Sequence, residues 1–244
     1  VVDILEKRYE LFEGLNLTYE TREGIIKHSS DYDHPDCRNF NPHEQPSIEA
    51  QLIDLADEIA YNNHDLDDGI SSGLLDIAEA EELAIWKLSG APSGLTSMKR
   101  EELKLAVRSG VRSIINMLAT DLIRTTSENI SALKIESLED ARSCGRKVSG
   151  FSDEVKKCNN GLKLFLRERL YRHYRVARMT IKAENVIREL FDIYTKHPET
   201  LPDAYRERAE TSGIIRTVTD YIAGMTDRYA LEEQKKLTDP SVKS

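Results

Sequence analysis

Asp57, Tyr61 and Asp65 stand four residues apart in the stretch LADEIAYNNHDLDD, with Asp54 just before it and Asp68 at its end. At about 100° per residue, these five side chains fall within roughly a quarter of a helix circumference. Carboxylates gathered this way can hold a divalent cation, and a tyrosine in line with them can pack on a ligand whose hydroxyls the next carboxylate accepts. The opposite side carries Ile48, Leu52, Leu55, Ala56, Ile59 and Ile70. A solvated acidic face on an amphipathic helix therefore accounts for the same pattern, and the row alone does not choose between the two.

Other groupings are weaker. His28, His34, Cys37 and His43 mix ligand types that zinc accepts, but their spacing fits no common zinc arrangement. The run RERLYRHYRVAR interleaves Tyr171, His173 and Tyr174 with Arg167, Arg169, Arg172, Arg175 and Arg178. Aromatic and guanidinium alternation suits a base to stack on and phosphates to grip, and equally suits ordinary helix packing. The chain has no glycine-rich phosphate loop, no nucleophile elbow and no paired CxxC.

The 244 residues suffice for a sizeable core, and 39% apolar with 32% charged residues is a soluble, globular balance. No run approaches the ~20 apolar residues of a membrane span, so no membrane partner is expected. Cys37, Cys144 and Cys158 are odd in number and widely spaced, which argues against a disulfide framework and for a reducing, cytoplasmic setting. The net charge of −9 makes nucleic acid an improbable partner. That charge is uneven: residues 51–86 hold ten acids and no Lys or Arg, whereas 161–182 hold seven bases and one acid, Glu168. Such asymmetry fits a basic stripe that meets an anionic ligand.

The elements that must position these residues read as helices throughout, and the fold class is all-α. The spacing of Val1, Ile4, Leu5, Tyr9 and Phe12 predicts a helix over 1–12, as if the chain opened inside one and were a piece of a longer protein. Further helices are predicted over 18–28, from Ser47 (after Pro46) to about Asp65, over 73–88 and over 98–127. Residues 130–151 read as irregular, with a helical turn at SLEDAR. Helices then follow over 153–173 and 176–196, with three short ones to about Leu237. The expectation is a single domain over 1–237 with a slight waist at 130–151, and a flexible tail over 238–244.

Three blocks, LNLTYETREGIIKH, PSIEAQLIDLADEIAYNNHDLDDG and DYIAGMTDRYALEE, resemble the signature stretches of the bacterial deoxyguanosinetriphosphate triphosphohydrolase-like proteins of the HD phosphohydrolase superfamily. The resemblance runs in register from about Val1 to Leu237. It implies that Asp57 is the last of four ligands to a catalytic divalent metal of the Mg or Mn class. It likewise implies that Tyr61 packs on the deoxyribose and that Asp65 bonds the sugar 3′-hydroxyl. The basic run falls where family members bring nucleotide contacts, which nominates Tyr171, His173 and Arg175 as substrate-binding. The implied reaction takes a deoxynucleoside triphosphate and water to deoxynucleoside and tripolyphosphate.

One departure is plain. The only His–Asp dipeptide, His64–Asp65, follows the metal Asp instead of preceding it. The family's other three ligands and its catalytic His and Glu are expected upstream of Val1, so no catalytic residue is assigned within this chain. A lone Asp57 leaves a cation mostly hydrated, so the chain by itself is expected to be inactive and metal-free. Its expected partners are the missing N-terminal segment, the nucleotide and further copies in a homo-oligomer. The alternative is a noncatalytic oligomerisation or nucleotide-sensing fragment.

Overall fold

The computed structural model describes residues 1–6, 8–28 and 39–242. Among them there are helices and no strand, so the fold is all-α, as expected of a helical domain of the HD superfamily. The chain divides into two compact units, Val1–Leu170 and Tyr171–Ser244.

The first unit is built on two helices, α2 (Ile48–Ser71) and α5 (Arg100–Leu133), which pack along each other. Ser47 opens α2 by accepting the Ala50 N–H at 3.3 Å, the cap that Pro46–Ser47 announces. The helix continues past Asp65 to Ser71, so its acidic face lies on one uninterrupted cylinder. Its buried stripe is more polar than the sequence suggests: Gln51, Asn62 and Asn63 lie inward with Ile59, Leu66 and Gly69, while Ala56 is exposed. Gln51 shows why. Its amide donates to the Pro46 carbonyl (2.8 Å), and its oxygen accepts from the backbone N–H of Val148 (2.7 Å) and of Ser149 (3.1 Å). A buried amide with these partners satisfies backbone groups that an apolar residue would leave orphaned. The same contacts bind the expected waist into the first unit.

Around this pair stand α1 (Tyr19–Ile26), α3 (Ile77–Glu81), α4 (Ala84–Leu88), α6 (Leu138–Ser143) and α7 (Asp153–Leu166), which a turn at Arg167–Tyr171 follows. The predicted helix over 73–88 is thus two short ones. No Gly or Pro interrupts AEAEELAIW; tertiary bonds on both pieces accompany the break. Glu81 accepts the Leu95 N–H (3.0 Å), and the Trp86 indole donates to the Pro92 carbonyl (2.8 Å). The predicted helix over 1–12 is also absent among the described residues, which form turns and bends. There the Leu15 N–H donates to the Val2 carbonyl at 2.8 Å, and Gly14 sits at φ 65 against that carbonyl, so the segment closes as a loop.

The second unit contains α8 (Tyr174–Lys196), α9 (Asp203–Ser212), α10 (Ile214–Ala223) and α11 (Asp227–Thr238). Its core is Leu190, Tyr194, Leu201, Val218 and Tyr221, with Phe191, Tyr205 and Ile214 packed on it. The block DYIAGMTDRYALEE forms this core and its polar seal. Asp220 is clasped by Arg208 (2.6 Å) and Arg216 (3.1 Å), Thr226 caps α11, and the Tyr221 and Tyr229 hydroxyls meet at 2.9 Å beside Glu233. Within this structure the distinctive sequence of that block is explained by packing.

Candidate functional site

The exposed face of α2 carries the row. Asp57 is exposed, Tyr61 is exposed at 58% and Asp65 is half-buried, one turn after another. Glu58, beside Asp57, is held down by α7: its carboxylate accepts from Asn159 (2.7 Å) and Lys163 (3.2 Å). That pairing fixes the rotation of α2 and with it the direction of the row.

Asp54 and Asp57 line a cavity of about 1000 Å³ between α1, the start of α2 and residues 135–141. Ile25, Ile48, Ile53 and Leu138 supply apolar wall, and Glu20, Glu49 and Glu136 add further carboxylates. Tyr61 and Asp65 are not among the lining residues, so the structure places Asp57 at the cavity and the two presumed sugar contacts beyond it along the helix. One wall is set by a buried ion cluster. The wholly buried Glu23 of α1 meets Arg142 of α6 and Lys27, each at 2.8 Å. Burial pushes the Glu23 carboxyl up, but the hydrogen bonds from Lys27 and Arg142 outweigh it and hold it below its ordinary range.

At the rim, His28 Nδ1 meets Asp54 Oδ1 at 2.6 Å, and the Lys147 ammonium donates to Asp54 Oδ2 at 3.2 Å. His28 is thus bound to Asp54; His34 and Cys37 of the zinc grouping lie outside the described residues. Among the described residues no three His, Cys, Asp or Glu side chains gather closely enough to hold a metal ion. His64 approaches Asp68 at 3.7 Å, as an ordinary surface pair one helical turn apart. Cys144 and Cys158 are free thiols, and burial pushes the Cys158 thiol up.

The basic run is divided: Arg167 and Arg169 lie in the first unit, where Arg169 pairs with Glu79 at 2.9 Å, and the residues from Tyr171 onward lie in the second. His173 caps α8, its Nδ1 accepting the Arg175 N–H at 3.3 Å. Arg175 donates from Nε to the Tyr174 hydroxyl (3.2 Å), and the guanidinium groups of Arg175 and Arg178 lie 5.9 and 5.4 Å from the Tyr174 ring centroid. Tyr171 is half-buried at the unit's first position. The structure therefore gathers His173 and Arg175 around Tyr174, an exposed aromatic with two cations stacked on it.

The protein of Geobacter metallireducens named deoxyguanosinetriphosphate triphosphohydrolase-like protein is 47% identical over 244 residues, covering 98% of this chain and 63% of that protein. Over nearly its whole length the chain is thus similar to proteins named deoxyguanosinetriphosphate triphosphohydrolase-like protein. A Geobacter sulfurreducens protein of the same name is 45% identical over 98% of the chain and 63% of its own length, and one from Ralstonia pickettii 41% over 97% and 62%. The chain thus spans about 63% of the length of the relatives it matches most fully. The family model described as phosphohydrolase-associated domain matches residues 149–236, the region of α7 to α11. No helix among the described residues is long and apolar enough to cross a membrane.

The sequence pattern nominates Asp57, considers His28 only within a weak zinc grouping, and does not single out Lys147 or Gln51. A signal for His28 was present, since it closes the first family block, LNLTYETREGIIKH. No local signal marks Lys147, which reaches Asp54 across 93 positions.

Proposed function

We propose that this chain is part of a metal-dependent deoxynucleoside triphosphate triphosphohydrolase that yields deoxynucleoside and tripolyphosphate. The observation that carries the reading is the placement of Asp57 on a large cavity, at the head of the row Asp57–Tyr61–Asp65 on one rigid helix. Asp57 would hold a divalent cation of the Mg or Mn class together with ligands from the part of the relatives' length outside this chain. Bound there, such a cation supplies a polarised phosphate and a more acidic water.

The chain's own residues then bind and orient. From Asp57 to Asp65 the helix rises about 12 Å, enough to separate a phosphate end from a sugar end along one straight surface. Tyr61 packs on the deoxyribose and Asp65 accepts its 3′-hydroxyl. On the second unit, Tyr171, His173 and Arg175 present aromatic and cationic groups of the kind that bind a nucleotide. The full-length protein is taken to work as a homo-oligomer in the cytoplasm. By itself this chain has one carboxylate for the cation, so it is expected to bind no stoichiometric Mn and to release no tripolyphosphate from dGTP. Elemental analysis and a product assay on the purified chain check both points.

In the full-length protein, Asp57→Ala should abolish turnover of every deoxynucleoside triphosphate. Asp65→Ala should lower kcat/KM by roughly ten- to a hundred-fold, the loss of one charge-assisted hydrogen bond of about 1.5–3 kcal/mol. A 3′-deoxy substrate should be poor for the parent and no worse for the Asp65 variant. Full activity of Asp57→Ala would end the proposal.

A further inference from the structure

His28 and Asp54 have no part in the roles assigned so far, yet they form the most constrained polar pair at the cavity. The Nδ1–Oδ1 distance of 2.6 Å is that of a charge-assisted bond, with the ring N–H donating to the carboxylate. Asp54 is itself pinned: only 12% of its side chain is exposed, and Lys147 engages its second oxygen. The imidazole is thus held by a nearly buried anchor while remaining 40% exposed at the cavity.

Charge adds the second observation. Among the described residues, every other ionisable side chain lining the cavity is a carboxylate, and none is a Lys or Arg. Among those described lining residues, His28 is the one that can present positive charge or donate a hydrogen bond from a charged ring. Asp54, its anchor, precedes Asp57 by three positions, which on a helix puts their Cβ atoms about 5–6 Å apart. A polyphosphate anchored near Asp57 therefore has His28 within the reach of one or two phosphoryl groups.

We propose that His28, oriented by Asp54, is a substrate-binding residue that grips the triphosphate. Its Nδ1–H is committed to Asp54, and Nε2–H donates to a non-bridging phosphate oxygen when the ring is doubly protonated. Lys147 is a positioning residue that acts through Asp54. The inference rests on the triphosphohydrolase reading above and names the residue of this chain that holds the anionic end of the substrate.

The test uses two replacements of one side chain in the full-length protein. His28→Asn keeps a donor where Nδ1 stood, so it preserves the tie to Asp54 and removes only the outer nitrogen. His28→Gln does the reverse. His28→Asn is expected to raise KM for dGTP and the inhibition constant of tripolyphosphate by at least about tenfold. Its inhibition by deoxyguanosine should stay within about twofold of the parent, and its melting temperature should be unchanged. His28→Gln should recover part of the tripolyphosphate affinity, and binding of tripolyphosphate by calorimetry gives a readout independent of turnover. Parent-like tripolyphosphate binding in His28→Asn, or equal weakening of tripolyphosphate and deoxyguanosine, overturns the assignment and leaves the triphosphohydrolase reading standing. A parent that releases no tripolyphosphate from dGTP overturns that reading, and this one with it.

Discussion

Glu23 carries the largest electrostatic stake of any single residue in the first unit. It is wholly buried, and it joins α1 to α6 through Arg142 at 2.8 Å while Lys27 approaches from its own helix. Its carboxyl is held below the ordinary range, so the folded state favours the ionised form more than the unfolded chain does. The sign follows from linkage: this contribution is present above the unfolded value, about 4.3, and is lost as pH falls through the lower, folded one. Glu23→Gln leaves two cations facing a neutral amide, and breaking a buried pair this way costs about 3–5 kcal/mol. Urea unfolding should show that deficit near pH 7 and show it shrinking once the pH drops below about 4. A deficit that stays constant down to pH 3 would mean that the Glu23 charge contributes nothing. The wall of the cavity is built on this pair, so its loss should also loosen the surroundings of Asp57.

At the scale of elements, helix packing separates two glycines that look alike in sequence. Gly110 in α5 faces Trp86, and a Cβ there would lie 2.5 Å from the ring atoms Cη2 and Cζ2. Trp86 is buried with its indole bonded to Pro92, so it has no easy retreat. Gly110→Ala should therefore lose up to about 2 kcal/mol, overpacking of roughly 1–3 offset by about 1 of helix propensity. Gly161 in α7 is exposed and has open space around the same position. Gly161→Ala should gain about 0.4–1 kcal/mol, and thermal melts of the two variants should move in opposite directions. The same distinction explains how much of the fold was legible. Helices with a cap and a long period, such as α2 after Ser47, α5 and the three after Pro202, were read from local signals. The loop at 1–12 and the break at Glu82–Leu83 depend on partners distant in sequence or on backbone bonds that no periodicity encodes. For the site, the row on α2 could be read because one helix carries it. The His28–Asp54–Lys147 cluster could not, because three separate segments meet there.

At the scale of the molecule, the two compact units differ in what holds them, and pH can show it. The second unit closes on tyrosines: Tyr194, Tyr221 and Tyr205 stack within 5.4 Å between centroids, and the Tyr221 hydroxyl meets Tyr229 and Glu233. Burial pushes the Tyr194 phenol up to about 12, and burial with the Tyr229 hydrogen bond raises Tyr221 further. Both groups ionise less readily folded than unfolded, where the value is about 10. Their contribution is therefore complete below about pH 10 and is lost as pH climbs through the folded values, because the unfolded chain can release those protons first. The first unit has no such cluster among its described residues, and it holds Trp86, the chain's single tryptophan. Indole emission consequently reads the first unit alone, while circular dichroism reads both. Between pH 8 and pH 11 the denaturant midpoint seen by circular dichroism should fall clearly, and the midpoint seen by Trp86 should fall less. Tyr194→Phe, which removes one of the raised phenols and keeps its ring, should flatten the drop. Midpoints that fall together at pH 11, unchanged by Tyr194→Phe, would place the alkaline weakness elsewhere and show the chain unfolding as one cooperative body.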